Sequence, residues 1–194
     1  SNKTSRRIAL PAFFTIILFV TAIFFVLLPQ QEDSFHARKL EMIQELTETP
    51  WSLLGTYHAR DLSCELSQTE EQKRAHLRNH KLRYGPEKKD YFWINDMEPR
   101  MIMHPYRPDL EGQDLTSFTD LNNKRLFVEF VETVNQKGGN GYVPYLWQWK
   151  DVPEQIVPKL SYVNLFKPWG WIIGTGVYLD DVHREFAQIS KKLI

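Results

Sequence analysis

The chain has 194 residues in which 24 Lys plus Arg balance 24 Asp plus Glu, so with neutral histidines it carries no net charge. That balance gives no support to nucleic-acid binding, which needs a basic stripe. A single cysteine, Cys64, excludes an intramolecular disulfide and leaves plain packing as its role.

Residues 8–29, from Ile8 to Pro29, contain no charge and are long enough to cross a hydrocarbon core of ~30 Å as a helix rising ~1.5 Å per residue. A cleaved signal peptide is the rival reading, because Lys3, Arg6 and Arg7 precede the run. The run exceeds the roughly 7 to 15 apolar residues of such a signal, and Gln30-Gln31-Glu32-Asp33 offers no small-x-small cleavage site. The sequence therefore predicts a transmembrane helix over 8–29, with residues 1–7 cytoplasmic and the chain from residue 30 outside. The residues beyond Pro29 are mildly acidic, 21 Lys plus Arg against 24 Asp plus Glu.

From Asp33 to about Leu66, Phe35, Leu40, Ile43, Leu46, Trp51, Leu54, Tyr57 and Leu62 recur at helical spacing, which predicts a long amphipathic helix that Pro50 kinks or divides. Its apolar stripe suits a second copy of the chain, a homodimer. Ser67-Gln68-Thr69-Glu70 fits a capping box and starts a charged helix that Gly85-Pro86 stops. His76 and His80 lie four apart on it, but a metal needs three or four ligands and none follows nearby, so a solvated face is the better reading and no metal is expected.

Tyr91 to Met103 reads as a hairpin: Tyr91-Phe92-Trp93-Ile94 favour a strand, Asn95-Asp96 a turn, and Met101-Ile102-Met103 a second strand ending at His104-Pro105. Tyr91 and Trp93 share one face by the two-residue period. A punctuated loop follows, then a helix capped by Asp120 or Asn122 with Leu126, Phe127, Phe130, Val131 and Val134 on one face. Beyond Lys137-Gly138-Gly139, Tyr142 to Trp149 alternates as a strand with Val143, Tyr145, Trp147 and Trp149 on one side, and Pro144 implies an edge or a bulge. Residues 150–158 read as a proline-bearing linker, Lys159 to Phe166 as a strand, and Trp171 to Tyr178 as its antiparallel partner, with Gly174 and Gly176 marking close backbone approach. A helix restarts at Asp180 or Asp181, and residues 191–194 are expected to open a second, truncated membrane segment.

Taken in order, Tyr91-Phe92-Trp93-Ile94-Asn95-Asp96, Met101-Ile102-Met103-His104-Pro105, Leu126-Phe127-Val128, Gly141 to Trp147, Pro158 to Val163 and Phe166 to Tyr178 resemble the single Cache domains of bacterial receptors. The resemblance covers roughly residues 30–190. It implies an α+β, PAS-like fold, an antiparallel sheet of five to six strands with a long N-terminal helix, on the outer side of the bacterial inner membrane. It further implies the sensing part of a chemoreceptor, histidine kinase or diguanylate cyclase that binds a short carboxylate such as acetate, propionate, pyruvate or lactate.

Holding a small carboxylate takes donors that converge on two oxygens and an apolar wall around the tail. Trp93, Tyr145 and Trp147 offer apolar bodies with N–H or O–H tips, His104 an adjustable donor, and Lys159 a cation at a strand start. Arg83 and Arg107 are rival charge partners, and bidentate ones. Each of these side chains also suits ordinary core or surface. No nucleophile elbow, phosphate loop, dinucleotide fingerprint or metal-ligand cluster appears, which argues against an enzyme and gives no cofactor. The alternative is a ligand-free structural or dimer-forming domain with a self-filled pocket. Ligand-driven contraction of the pocket is the expected signal, passed to the last helix.

Overall fold

The computed structural model describes residues 2–62, 68–136 and 138–193. Cys64, the capping-box Ser67 and the terminal Ile194 lie outside the described residues. The chain forms two compact units, residues 1–39 and 40–194. In the first, α1 (Asn2–Ala22) is followed by a π-helical turn (Ile23–Leu27) and the opening of α2 (Leu28–Leu62). Phe13, Phe14, Ile16, Leu18, Phe19 and Phe25 all lie on the surface. Among the described residues, one helical stretch is long and apolar enough to cross a membrane.

The second unit is built on a five-stranded antiparallel sheet of β3 (Trp93–Asp96), β4 (Met101–Met103), β5 (Asn140–Trp149), β6 (Val152–Phe166) and β7 (Trp171–Tyr178), in the order β4-β3-β7-β6-β5. A separate two-stranded ribbon pairs β1 (Arg83–Tyr84) with β2 (Asp90–Tyr91). Successive residues of each strand point to opposite faces of the sheet, and β3 and β7 are buried on both. One face carries Trp93, Val143, Tyr145, Trp147, Val163 and Ile172, under α4 (Leu126–Gln136) and the loops bearing Leu110 and Leu115. The other carries Ile94, Met103, Phe166, Trp171 and Ile173, which pack with Leu54 and Tyr57 of α2 and Ala75 of α3 (Gln68–Lys81).

Pro50 does not divide α2. It is itself buried, in one stripe with Ile43, Thr47, Leu54 and Tyr57, so packing on the domain offsets the backbone bond that its ring removes. The stripe expected to meet a second copy is thus used largely within the chain. The predicted cap of α4 is also displaced. Helix begins at Leu126, and the Asp120 carboxylate instead accepts the backbone N–H groups of Asn122, Lys124 and Leu146, at 2.8, 3.0 and 2.9 Å. It folds the approach to the helix as an Asx turn and fastens it to β5.

The stretch read as a linker is strand. β6 starts at Val152, and residues 152–158 pair only with β5, because pairing to β7 begins at Lys159 opposite Tyr178. A proline on a segment with one open side forfeits no ladder bond there, which is how Pro153 and Pro158 are accommodated. Lys159 is consequently mid-strand. Pro144 does lie on an edge strand, β5.

Gly174 and Gly176 have ordinary extended backbone; what they supply is missing volume. A Cβ at Gly174 would meet the Trp93 indole at 2.2 Å, and one at Gly176 would meet the Ser161 hydroxyl at 2.1 Å. Gly174→Ala is expected to cost about 2 kcal/mol in chemical denaturation and to shift Trp fluorescence, since the indole must leave its seat. Gly55→Ala, inside α2 with nothing within 4 Å of the added methyl, is expected to raise stability by up to about 1 kcal/mol.

Candidate ligand-binding site

The register of the sheet assembles the site. Tyr145 of β5, Lys159 of β6 and Tyr178 of β7 stand in one cross-strand row, and Trp93 of β3 pairs with Gly174, four residues before Tyr178 on β7. Because Gly174 has no side chain, the Trp93 ring lies low over the sheet and approaches the lysine. The Lys159 side chain is 2% exposed, and its Nζ donates to the Tyr91 hydroxyl at 3.0 Å. The ammonium also lies 4.3 Å from the ring centre of Tyr91 and 5.0 Å from those of Trp93 and Tyr178. Ring quadrupoles stabilise a cation so placed, but far less than a carboxylate would. Among the described residues no carboxylate pairs with it. Burial therefore pulls its pKa down to about 7, with the Asp90 charge pulling weakly the other way.

Beside this row, Trp93, His104, Leu126, Phe127, Phe130, Tyr145 and Trp147 line a gap of ≈ 160 Å³, part of it open to solvent, with room for about one water molecule. The Trp93 indole N–H is buried here without a hydrogen-bond partner. Such an orphan is rare in a folded protein and costly to keep. His104 contributes a second donor. Its Nδ1 accepts the backbone N–H of Tyr106 at 3.2 Å, which assigns the ring proton to Nε2. Burial, then the charges of Lys159, Arg107 and Arg83, push its pKa well below the usual histidine value, so the ring is neutral at physiological pH. The Tyr145 hydroxyl is 2.9 Å from that of Ser161.

Four of the five residues singled out in the sequence thus line the gap, and the fifth, Lys159, abuts it through Trp93. The rival cations have other hydrogen-bond partners, although Arg107 also lies 5.9 Å from the ring centre of Trp147. Arg83 donates to the carbonyls of His80 and Leu82 at 2.7 and 2.8 Å, and Arg107 forks onto Asp109 at 2.9 and 2.7 Å. Sequence reasoning missed Tyr91 and Tyr178 as neighbours of the lysine, although the shared face of Tyr91 and Trp93 is a signal for the first. It also missed that the apolar face of α4, Leu126, Phe127 and Phe130, closes the gap. His76 and His80 stack 6.2 Å apart, and His76 Nε2 lies 3.4 Å from Glu111, whose other oxygen accepts the backbone N–H of His104.

The single Cache domain 2 family model matches residues 35–192. The chain belongs to the single Cache domain family. Its relatives include the methyl-accepting chemotaxis protein McpP of Pseudomonas putida, 38% identical over 188 residues, a match that takes in 97% of this chain and 34% of that protein. The chain thus spans about a third of that relative's length. Among solved structures, the periplasmic sensor domain of a chemotaxis protein is 42% identical with a TM-score of 0.69, over 73% of this chain and 96% of that one. A Cache chemosensory domain solved for the structural basis of carboxylic acid recognition is 39% identical with a TM-score of 0.70, over 76% and 97%.

The lysine makes this Cache domain's stability depend on pH. Its folded pKa, about 7, lies below the unfolded value of 10.5, so between the two the unfolded chain holds the extra proton and stability rises with pH. Denaturation midpoints without ligand should climb from pH 7 to 9, the Lys159 contribution approaching about 1.4 kcal/mol per pH unit. Lys159→Met should lack that contribution and be the more stable protein at pH 6.

Proposed function

We propose that this chain is the extracytoplasmic sensor domain of a membrane receptor, a chemoreceptor or alternatively a sensor kinase, and that its Cache pocket holds a short carboxylate. Residues 1–7 are cytoplasmic, residues 8–29 anchor the chain in the bacterial inner membrane, residues 30–190 form the sensor outside it, and residues 191–194 lead to a second span. One observation carries the ligand reading: the buried Lys159 ammonium has a neutral phenol as its hydrogen-bond partner, beside a buried Trp93 N–H that has none. Carboxylate oxygens satisfy both groups at once, and only an anion offsets the buried charge. The apolar wall of Leu126, Phe127 and Phe130 suits a tail of one to a few carbons. Carboxylic acid recognition by a 39% identical Cache domain supports the same class.

The donors hold rather than transform. His104 Nδ1 is already engaged by Tyr106, and the ligand is retained unchanged. Binding draws Lys159 and Trp93 toward the carboxylate and contracts the pocket around it. Tyr178 carries this change onward, as the last residue of β7 and the neighbour of Leu179, where α5 (Leu179–Leu193) begins. A signal of this kind requires that the ligand bind the two arrangements unequally.

Acetate, propionate, pyruvate or lactate at a hundred times its dissociation constant should stabilise the protein by about 2.7 kcal/mol and raise its melting temperature by several degrees. Lys159→Met should abolish that shift and Trp93→Phe should weaken binding about tenfold, near the worth of one hydrogen bond to a charged group. No shift with any of the four favours the ligand-free structural domain. The receptor reading includes a homodimer, with Trp51, 39% exposed on α2, as its available apolar contact. Sedimentation of the detergent-solubilised chain should find two copies per particle, and monomer alone at high concentration would count against it.

A further inference from the structure

We propose that the pocket takes two ligands together, a carboxylate and a proton that ends on Lys159. This rests on the carboxylate reading above and adds to it a regulation by pH. The neutral Lys159 amine accepts a proton from solvent through its lone pair, the ammonium so formed faces the carboxylate, and no bond of the ligand breaks.

The geometry comes first. Lys159 is enclosed by the rings of Tyr91, Trp93 and Tyr178, with the Tyr91 hydroxyl as the acceptor for its Nζ. An ammonium walled in this way has little to compensate it, so without ligand the neutral amine competes. The pKa near 7 puts that competition in the physiological range. A carboxylate in the adjoining gap supplies the missing opposite charge and raises the lysine's proton affinity. By linkage, protonation then raises the affinity for carboxylate to the same degree.

Other charged and ionisable groups surround Lys159 on the neighbouring elements. On β2, Asp90 acts on Lys159 through space and lies 3.8 Å from Lys150, which also holds Glu87 at 3.2 Å and Asp181 of α5 at 3.6 Å. Burial pushes up the phenols of Tyr84 on β1, Tyr91 on β2, Tyr145 on β5 and Tyr178 on β7, so they remain neutral. His104, beyond β4, is pushed down and stays neutral. Arg83 and Arg107 lie farther out, over the rings of Tyr106 and Trp147. Among these buried groups, Lys159 is the one that burial brings to a pKa of about 7.

The sign follows directly. Below pH 7 the lysine is already protonated and the carboxylate binds at full strength. Above it, each pH unit weakens binding about tenfold, so the dissociation constant should be about 100-fold larger at pH 9 than at pH 6.

The test is calorimetry on the whole 194-residue chain in detergent micelles, titrated with acetate, propionate, pyruvate and lactate in phosphate and in Tris, whose ionisation enthalpies differ. The expected result is uptake of about half a proton per carboxylate at pH 7 and nearly one at pH 8, with the dissociation constant rising in step. In Lys159→Arg, whose guanidinium stays charged, any binding should be flat with pH and take up no proton. The wild-type count decides alone if that variant neither folds nor binds. A carboxylate that binds with no proton taken up overturns the proposal and leaves the carboxylate reading standing. Uptake that persists in Lys159→Arg also overturns it, since the proton then resides elsewhere. Failure of all four to bind between pH 5.5 and 9 overturns the carboxylate reading, and this proposal with it.

Discussion

The arrangement on which the rest of the sensor depends is a lysine ammonium buried in the middle of an antiparallel sheet among aromatic rings. A charge in that position is costly unless something opposite comes to meet it. The surroundings of Lys159 are consistent with that demand being left open. Tyr91 gives its hydroxyl and its ring, Trp93 and Tyr178 give ring faces, and Asp90 gives a field through space while lying close to Lys150. Beside this centre the Trp93 N–H is buried without a hydrogen-bond partner.

The sheet makes this possible through small residues as much as large ones. Gly174 and Gly176 remove side chains from one face of β7, so that the Trp93 indole and the Ser161 hydroxyl occupy the vacated space. Without that space the Trp93 indole could not lie against Lys159. On the opposite face, Phe166, Trp171 and Ile173 meet α2 and α3, which gives the sheet a conventional core and leaves the first face available for polar work.

The same row of side chains reaches the end of the domain. Tyr178 touches Lys159 on one side, and its hydroxyl donates to the Gln148 carbonyl and accepts the Lys150 backbone N–H on the other, at 3.0 and 2.9 Å. Trp149 donates to Asp181 in the first turn of α5, and Lys150 lies close to the same carboxylate. A charge change at Lys159 is therefore two side chains from the start of α5, through contacts that are short and already made.

Much of this was legible in the sequence, and the reason is periodicity. The alternation of Val143, Tyr145 and Trp147, the pairing of Tyr91 with Trp93 on one face, and the apolar stripes of α2 and α4 follow from which residues must be buried, so elements and faces emerge from the chain alone. The uncharged run over residues 8–29 is equally a property of composition. What periodicity does not encode is register and long-range contact. Lys159 is read from the sequence as the leading charge partner, but at the start of a strand, because Pro153 and Pro158 break the pattern before it. Only the pairing of residues 152–158 with β5 alone makes those prolines tolerable and moves the lysine into the interior. In the same way Lys159 led Arg83 and Arg107 as a candidate in sequence, but only tertiary structure shows their surroundings: the two arginines find a backbone or carboxylate partner close in the chain, whereas the lysine finds rings contributed by strands up to 68 residues away. The sequence determines which surfaces are buried; which buried charge is left waiting is decided by the fold, because that depends on what the register brings opposite it.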